Sequence, residues 1–285
     1  MRVRLYRILG NDLPPRHEPG QTIENLLYQL EHEHEFEDVE KVWVLNRIVD
    51  SLDYKELKLA LTSAGKEFLD IPFDRVEYLK QDSFEDKAAY ITNNNPARNA
   101  CLEDGFSKRA DIVLPFDGNC FFTDESWYYA RNSIINNFLS PYFIFPMARC
   151  QSYDDLSGMP QVKEMYNLGK LKRHDLTEPQ IGFGVDHDLR FDERLRYSLG
   201  PKAELLVRIG VPGIWSLNWV DPKYRDRPNS RHQDRDPIYC GWVWRLPSGN
   251  FAAESDNTIR GRDRQQGISN IVKKADELIS VKIPN

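Results

Sequence analysis

The residues best suited to chemistry sit where an apolar run breaks into a polar turn. Ala110-Asp111-Ile112-Val113-Leu114-Pro115-Phe116 ends in Asp117-Gly118-Asn119. An Asp carboxylate and an Asn carbonyl two residues apart are hard oxygen donors, the kind that Mg²⁺ or Mn²⁺ prefers. A divalent ion held there would neutralise charge developing on phosphate oxygens. Gly118 between them lets the backbone approach closely. The same three residues also suit an ordinary strand-end turn, since Asp-Gly is a common turn dipeptide. Upstream, Asn93-Asn94-Asn95-Pro96-Ala97-Arg98-Asn99 opens a helix that runs to Asp104-Gly105. Arg98 offers either a planar fork for phosphate or a salt bridge that fixes its helix.

These residues need elements to position them. Residues 3–9 alternate and end in Gly10-Asn11-Asp12-Leu13-Pro14-Pro15, a strand followed by a polar loop. Thr22 caps an expected helix over 23–33, and 41–46 is a short apolar strand ending at Asn46-Arg47. A helix is expected over 54–64, stopped by Gly65, with Asp50 as an alternative cap for that segment. A strand follows at 68–73. After the Asp117 turn come a helix over 126–139 and a strand over 142–146. Strand and helix thus alternate about four times, which predicts an α/β fold with a mainly parallel sheet flanked by helices. Ligands in such sheets bind at the carboxyl ends of strands, here Gly10-Asn11-Asp12, Asn46-Arg47 and Asp117-Gly118-Asn119.

The second half is less regular. Residues 159–175 form a charged helix or loop, 181–185 a strand, 203–209 a short helix, 241–246 a strand and 268–278 a closing helix. Residues 219–237 form a loop dense in Pro, Arg and Asp, long enough to act as a lid. Trp242 and Trp244 share one face of their strand and point to the core, whereas Trp215 and Trp219 are candidate sugar-stacking platforms. Arg260, Arg262 and Arg264 are expected in a loop, as a diphosphate clamp or a solvated surface. No repeat or flexible linker appears, so one domain over 1–285 is expected, with a nucleotide-binding half at 1–150 and an acceptor-binding half at 151–285.

The 285 residues carry 38 Lys/Arg and 44 Asp/Glu, a net charge of −6, which argues against a dedicated nucleic-acid binder. The balance is uneven. Between Arg190 and Arg264 stand 14 Lys/Arg and 10 Asp/Glu, a surplus that would suit an anionic ligand. No apolar run approaches the length of a membrane span. The first residues read as a strand, without the apolar core of a secretory leader. Cys101, Cys120, Cys150 and Cys240 show no metal-binding or disulfide-rich spacing. Buried thiols in a reducing compartment are expected, and hence a cytoplasmic protein.

The order of these motifs resembles a GT-A glycosyltransferase. In that family a helix opening on an Ala-Arg-Asn-like motif precedes a strand that ends in an Asp-x-Asp metal motif. The resemblance runs over about residues 3–215, and Phe191-Asp192-Glu193, Tyr197, Gly200, Glu204 to Arg208 and Gly213 are similar to the family's acceptor-side segment. It implies transfer of a sugar from a UDP- or GDP-sugar to a hydroxyl of a glycan or glycoconjugate. It implies Mn²⁺ or Mg²⁺ held by Asp117 and Asn119, with His232 as a third ligand from a late loop and His187 as its rival. It implies nucleotide contacts from Arg7, Gly10, Asn11, Asp12, Asn46, Arg47, Arg98 and Asp117. An inverting transfer would need a carboxylate base, for which Asp186, Asp192 and Glu193 are candidates. Two departures stand out. The metal motif ends in Asn119 rather than Asp. Pro201 and Lys202 stand where many members carry a Glu-Asp pair. Two other readings stay open: a sugar nucleotidyltransferase, which the Gly10 to Pro15 loop fits poorly, and a non-catalytic carbohydrate-binding module of the same fold.

Overall fold

The computed structural model describes residues 1–150, 152–157, 178–213, 221–249 and 257–280. In chain order its elements are β1 (Val3–Leu9), α1 (Gln21–His32), β2 (Val39–Asn46), α2 (Ser51–Ser63), β3 (Glu67–Ile71), α3 (Arg75–Leu79), α4 (Phe84–Thr92) and α5 (Asn95–Ser107). There follow β4 (Ile112–Asp117), β5 (Cys120–Phe121), α6 (Asp124–Asn136), β6 (Tyr142–Phe145), β7 (Met147–Arg149), β8 (Gln180–Gly184), α7 (Ala203–Arg208), β9 (Ile238–Tyr239), β10 (Val243–Arg245) and α8 (Asn257–Ser280). The segment expected at 159–175, and Trp215 and Trp219, lie outside the described residues.

Seven strands form one sheet in the order β3-β2-β1-β4-β8-β6-β9, and β5-β10-β7 form a second, three-stranded sheet. The first four strands of the large sheet are mutually parallel. β8 runs antiparallel to both of its neighbours, β4 and β6. The fold is therefore α/β with a mixed sheet, and strands from both halves of the chain share it.

β1 is buried along its whole length, as a central strand covered on both faces must be. Alternation divides its side chains. Tyr6 and Ile8 pack with Val42, Val44 and the α5 residues Ala97, Cys101 and Leu102. On the other face Leu9 joins Trp43, Leu45, Leu26 of α1 and Leu57 and Leu61 of α2. Asp50 caps α2 by accepting from the amides of Leu52 and Asp53, its capping role in the sequence reading. α3 and α4 fill the stretch after β3, where no helix was expected. They start at the capping side chains of Asp74 and Ser83.

α8 is longer than the expected 268–278 and begins at Asn257, so Arg260, Arg262 and Arg264 lie on a helix rather than a loop. Ile268, Ile271, Val272 and Ala275 pack against Tyr78, Ala88 and Ile91. Tyr78 donates to Asp276 at 3.0 Å and Asn270 donates to the Pro14 carbonyl at 3.0 Å. Gly267 lets the helix meet the loop after β1: a Cβ there would lie 2.4 Å from the Leu13 carbonyl oxygen. At Gly261, on the same helix, a Cβ would meet nothing.

This contrast separates propensity from packing. Gly261→Ala is expected to stabilise by up to about 1 kcal/mol, the usual gain of Ala over Gly in a helix. Gly267→Ala is expected to destabilise by about 1–3 kcal/mol, because a backbone carbonyl cannot yield as a flexible side chain can. Urea denaturation of both variants checks the pair; the same sign at both positions would contradict the close approach of α8 to Leu13.

Candidate functional site

A cleft of about 1000 Å³ opens at the carboxyl ends of β1 and β4. Here the strand order turns back, with β2 and β3 on one side of β1 and β4 on the other. At such a switch point the connections leave in opposite directions, and the gap between them holds ligands in open α/β sheets. Gly10, Asn11, Asp12 and Leu13 form one lip, and Asp117, Gly118 and Asn119 the other. Gly118 makes the lips meet: a Cβ there would lie 2.5 Å from the Ile8 carbonyl oxygen.

Asp117 is the hub of the cleft floor. Its Oδ1 accepts from Arg98 Nη2 at 2.5 Å, and its Oδ2 accepts from Lys202 Nζ and from Gln180 Nε2, both at 2.9 Å. Arg98 is aimed by Asn95, whose Oδ1 accepts from Nη1 at 2.6 Å, and its guanidinium lies over the Phe191 ring. The Lys202 side chain is 4% exposed and that of Asp117 27%. Burial acts to raise the Asp117 carboxyl, but Lys202, Arg98 and the Gln180 hydrogen bond outweigh it and hold the group far below the usual carboxylate range.

Across the lining, cations outnumber carboxylates. Among the described residues Arg98, Arg149, Lys202, Arg245, Arg260 and Arg264 line the cleft, against the carboxylates Asp12, Asp117 and Glu178. Arg149 of β7 and Arg245 of β10 are register partners on adjacent strands and so share one face of the small sheet, and Arg245 donates to Ser248 Oγ at 2.7 Å. Arg260 and Arg264 stand four residues apart on α8, hence on one helix face. Tyr197 reports the resulting field. Burial pushes its phenol up, yet Arg264, Arg16 and Arg245 outweigh this and hold it below its ordinary value.

The structure brings together part of the residue set expected from the sequence. Gly10, Asn11, Asp12, Arg98, Asp117 and Asn119 line the cleft. Asn11 and Asp12 already have partners. Asn11 donates to the Arg47 carbonyl at 2.9 Å and accepts from the Val49 amide at 2.8 Å. Asp12 accepts from the Thr22 amide and hydroxyl, serving the start of α1, where Gly20 offers no side chain. The Asn119 side-chain nitrogen donates to the Leu246 carbonyl at 3.4 Å, and the Asn119 backbone carbonyl accepts from the Leu246 amide at 2.9 Å.

Arg7, Asn46 and Arg47 do not line the cleft. Arg7 lies on the β1 face that α1 covers, where it pairs with Glu33 and donates to the Cys120 carbonyl at 2.8 Å. Asn46 donates to Asn94 Oδ1 at 3.0 Å and so supports a cleft residue from behind. Arg47 takes a left-handed backbone, φ 50°, held by a bond from its amide to the Ile71 carbonyl and by its guanidinium over Tyr90.

The three expected bases and His232 also lie off the cleft, and for Asp186 and His232 the direction of β8 explains it. Because β8 is antiparallel to β4, Gln180 at its start reaches the cleft, while Gly184 at its end pairs with Ile112 at the opposite edge of the sheet. Asp186 therefore emerges at the far end, where it pairs with Arg231 at 2.5 Å and where its carbonyl meets His232 Nε2 at 3.2 Å. His232 lines a separate pocket with Ile135, Ile209 and Arg235. His187 stacks on Phe106. Asp192 is buried against Arg194, 2.7 Å away, and its carbonyl accepts from Asn95 at the start of α5, while Glu193 accepts from Asn99 at 2.8 Å. No described residue of 221–237 lines the cleft, so that segment is not placed as a lid over it. Trp242 and Trp244 are buried together, as the alternation predicts.

A divalent cation does not fit this donor set. Both Asp117 oxygens are engaged by cations, and His232 is elsewhere. Among the described residues no three His, Cys, Asp or Glu side chains come together as a metal site. A dication about 4 Å from either Arg98 or Lys202 would meet a repulsion on the order of 8 kcal/mol at an effective dielectric constant of about 20. The residues that the sequence reading passed over are Gln180, Arg149, Arg245 and the positive role of Lys202. Only Lys202 carried a signal, as a cation at a position where an acid was expected. The chain matches no known family model, and no curated protein matches it in sequence.

Asp117 makes stability depend on pH in a defined direction. Its carboxyl lies below the unfolded value, so its contribution is complete above about pH 5 and is lost as pH falls through and below the carboxylate range. Asp117→Asn strands Lys202 and is expected to cost about 3 kcal/mol at pH 7. The gap from the wild type narrows below about pH 4. Denaturant titrations at pH 7, 5 and 3 check it, and a gap that stays constant would remove Asp117 from the charge network.

Proposed function

We propose that the protein transfers a sugar from a nucleotide diphosphate sugar, a UDP- or GDP-sugar, to a hydroxyl of a glycan or glycoconjugate, with the fold and cleft of a GT-A-like enzyme. The observation that carries this reading is the combination of two chemistries in one cleft at the switch point. Gly10 to Asp12, Gln21, Asn25 and Asn94 supply neutral and acidic hydrogen-bonding groups around β1, suited to ribose, base or sugar hydroxyls. Arg149, Arg245, Arg260 and Arg264 supply positive charge in the same cleft. A ligand that is polar at one part and doubly anionic at another uses both. The register-paired Arg149 and Arg245 support an anion in particular, because two guanidinium groups on one face of the small sheet can both donate to a diphosphate.

In this reading the leaving diphosphate gains its charge stabilisation from fixed guanidinium and ammonium groups aimed at it in advance. The acceptor hydroxyl must lose a proton as it attacks. Of the cleft carboxylates, Asp117 is bound to two cations and Asp12 serves the start of α1. Glu178 has a single looser ion pair, 3.8 Å from Lys202, and is a third exposed, so it is the candidate base. A second reading, sugar-nucleotide binding without transfer, is favoured by the position of Asp186, Asp192 and Glu193 off the cleft.

Calorimetry with UDP and GDP, together with assays of nucleotide diphosphate release from a panel of sugar nucleotides, separates these readings. Arg245→Ala is expected to weaken nucleotide diphosphate binding about tenfold, with the loss shrinking at high salt. Glu178→Gln is expected to lower kcat at least about 100-fold with little change in KM. Binding without release from any sugar nucleotide would assign the non-catalytic reading, and binding of no nucleotide would reject both.

A further inference from the structure

We propose that the Lys202 ammonium, locked by Asp117, takes the place of a divalent cation in this cleft, so that a diphosphate is captured without any metal. The inference rests on the anionic-ligand reading of the cleft and concerns how the charge is supplied.

Four observations carry it. Lys202 lines the cleft although its side chain is almost wholly buried. Its Nζ lies 2.9 Å from Asp117 Oδ2 and 3.8 Å from Glu178. An ammonium has three donors, and Asp117 takes one of them at hydrogen-bonding distance. Arg98 holds the other Asp117 oxygen, so the carboxylate cannot swing away to another ligand, and Gln180 braces it from β8. Asn119, the second residue of the turn, adds no charge, and its amide nitrogen is directed to the Leu246 carbonyl. The turn that would hold a dication instead holds a cationic side chain, and a covalently tethered cation cannot be removed by a chelator.

The test uses Mn²⁺, UDP, GDP and inorganic pyrophosphate as probes, with the intact protein in calorimetry. Mn²⁺ alone is expected to show no binding to the wild type at millimolar concentration. The wild type is expected to bind UDP or GDP, and pyrophosphate, with equal affinity within about twofold in EDTA and in Mn²⁺. Lys202→Ala is expected to lose at least about tenfold in EDTA and to regain part of it with Mn²⁺, since the vacated space exposes the Asp117 oxygen. Lys202→Arg keeps the positive charge and is expected to remain indifferent to EDTA; it also serves where the alanine variant fails to fold. Wild-type binding at least tenfold tighter in Mn²⁺ than in EDTA would overturn the proposal and leave the donor reading standing. Metal-independent binding of pyrophosphate but of no nucleotide would uphold Lys202 and reject the nucleotide donor. Binding of none of the three anions in either buffer would reject both.

Discussion

A carboxylate can be kept charged beneath the floor of a cleft only if cations are brought to it. That constraint organises this molecule around Asp117. Its partners come to the end of β4 from three other places in the chain: Arg98 on α5, Gln180 on β8 and Lys202 before α7. Each has to be held by its own surroundings. Asn95 aims Arg98, and Asn95 in turn donates to the carbonyls of Asp192 and Pro201 at 2.7 and 3.2 Å. Gln180 also approaches the Met147 sulfur. The first half of the chain is thereby tied to the second through one charge, and removing either side leaves the other charge buried without compensation.

The direction of β8 decides what this charge can meet. Had β8 run parallel to β4, the residues after it would have emerged beside Asp117. Running antiparallel, it brings its first residue to the cleft and carries Asp186 and His187 to the far edge of the sheet. Two polar clusters result from one reversal. At the cleft, Gln180 joins Asp117 and Lys202. At the opposite end Asp188 accepts from Tyr142, Ser230 and the Arg231 amide, bonds that hold its carboxyl down at about 2 despite burial. The second cluster anchors the loop that precedes β9, whose sequence, rich in Arg, Asp and Pro, resembles that of a mobile lid.

This is also where the sequence stopped being legible. β1, β2, α5 and β4 follow from local patterns: alternation in Val3–Leu9, the apolar run ending at Asn46, and the Asn-Pro start of α5. The switch-point loops that line the cleft, and Asp117 within them, follow in turn, because strand ends in a doubly wound sheet gather there. Strand direction has no local signature. Gln180-Ile181-Gly182-Phe183-Gly184 reads the same in either direction, and its orientation is fixed by pairing with β4 and β6 far away in the chain. The same limit applies to Arg7. It stands in a strand near candidate ligand loops, yet period-2 alternation turns it into the α1 face, where it meets Glu33, 26 residues on at the end of α1. Arg149 and Arg245 were hidden for a related reason. Each lies in a three-residue strand, and only the register of the small sheet places them side by side.

The cleft's charge then gains meaning against the rest of the chain. A protein of net charge −6 repels anions at long range, so attraction has to be local, and low-dielectric walls focus it. Fixed cations do this better than mobile ones. Lys202 is held by an ion pair, Arg98 by two hydrogen bonds, and Arg264 lies over the Tyr197 ring. Each is held by partners within the protein, as is Arg245, which donates to Ser248 Oγ at 2.7 Å. An anion entering this cleft therefore meets a field set in advance, and the entropy and reorganisation that usually oppose binding are reduced for it alone. Neutral sugars gain nothing from that field. The charge of the cleft is consequently a property of the scaffold, placed by the β7–β10 register and the Asp117 hub.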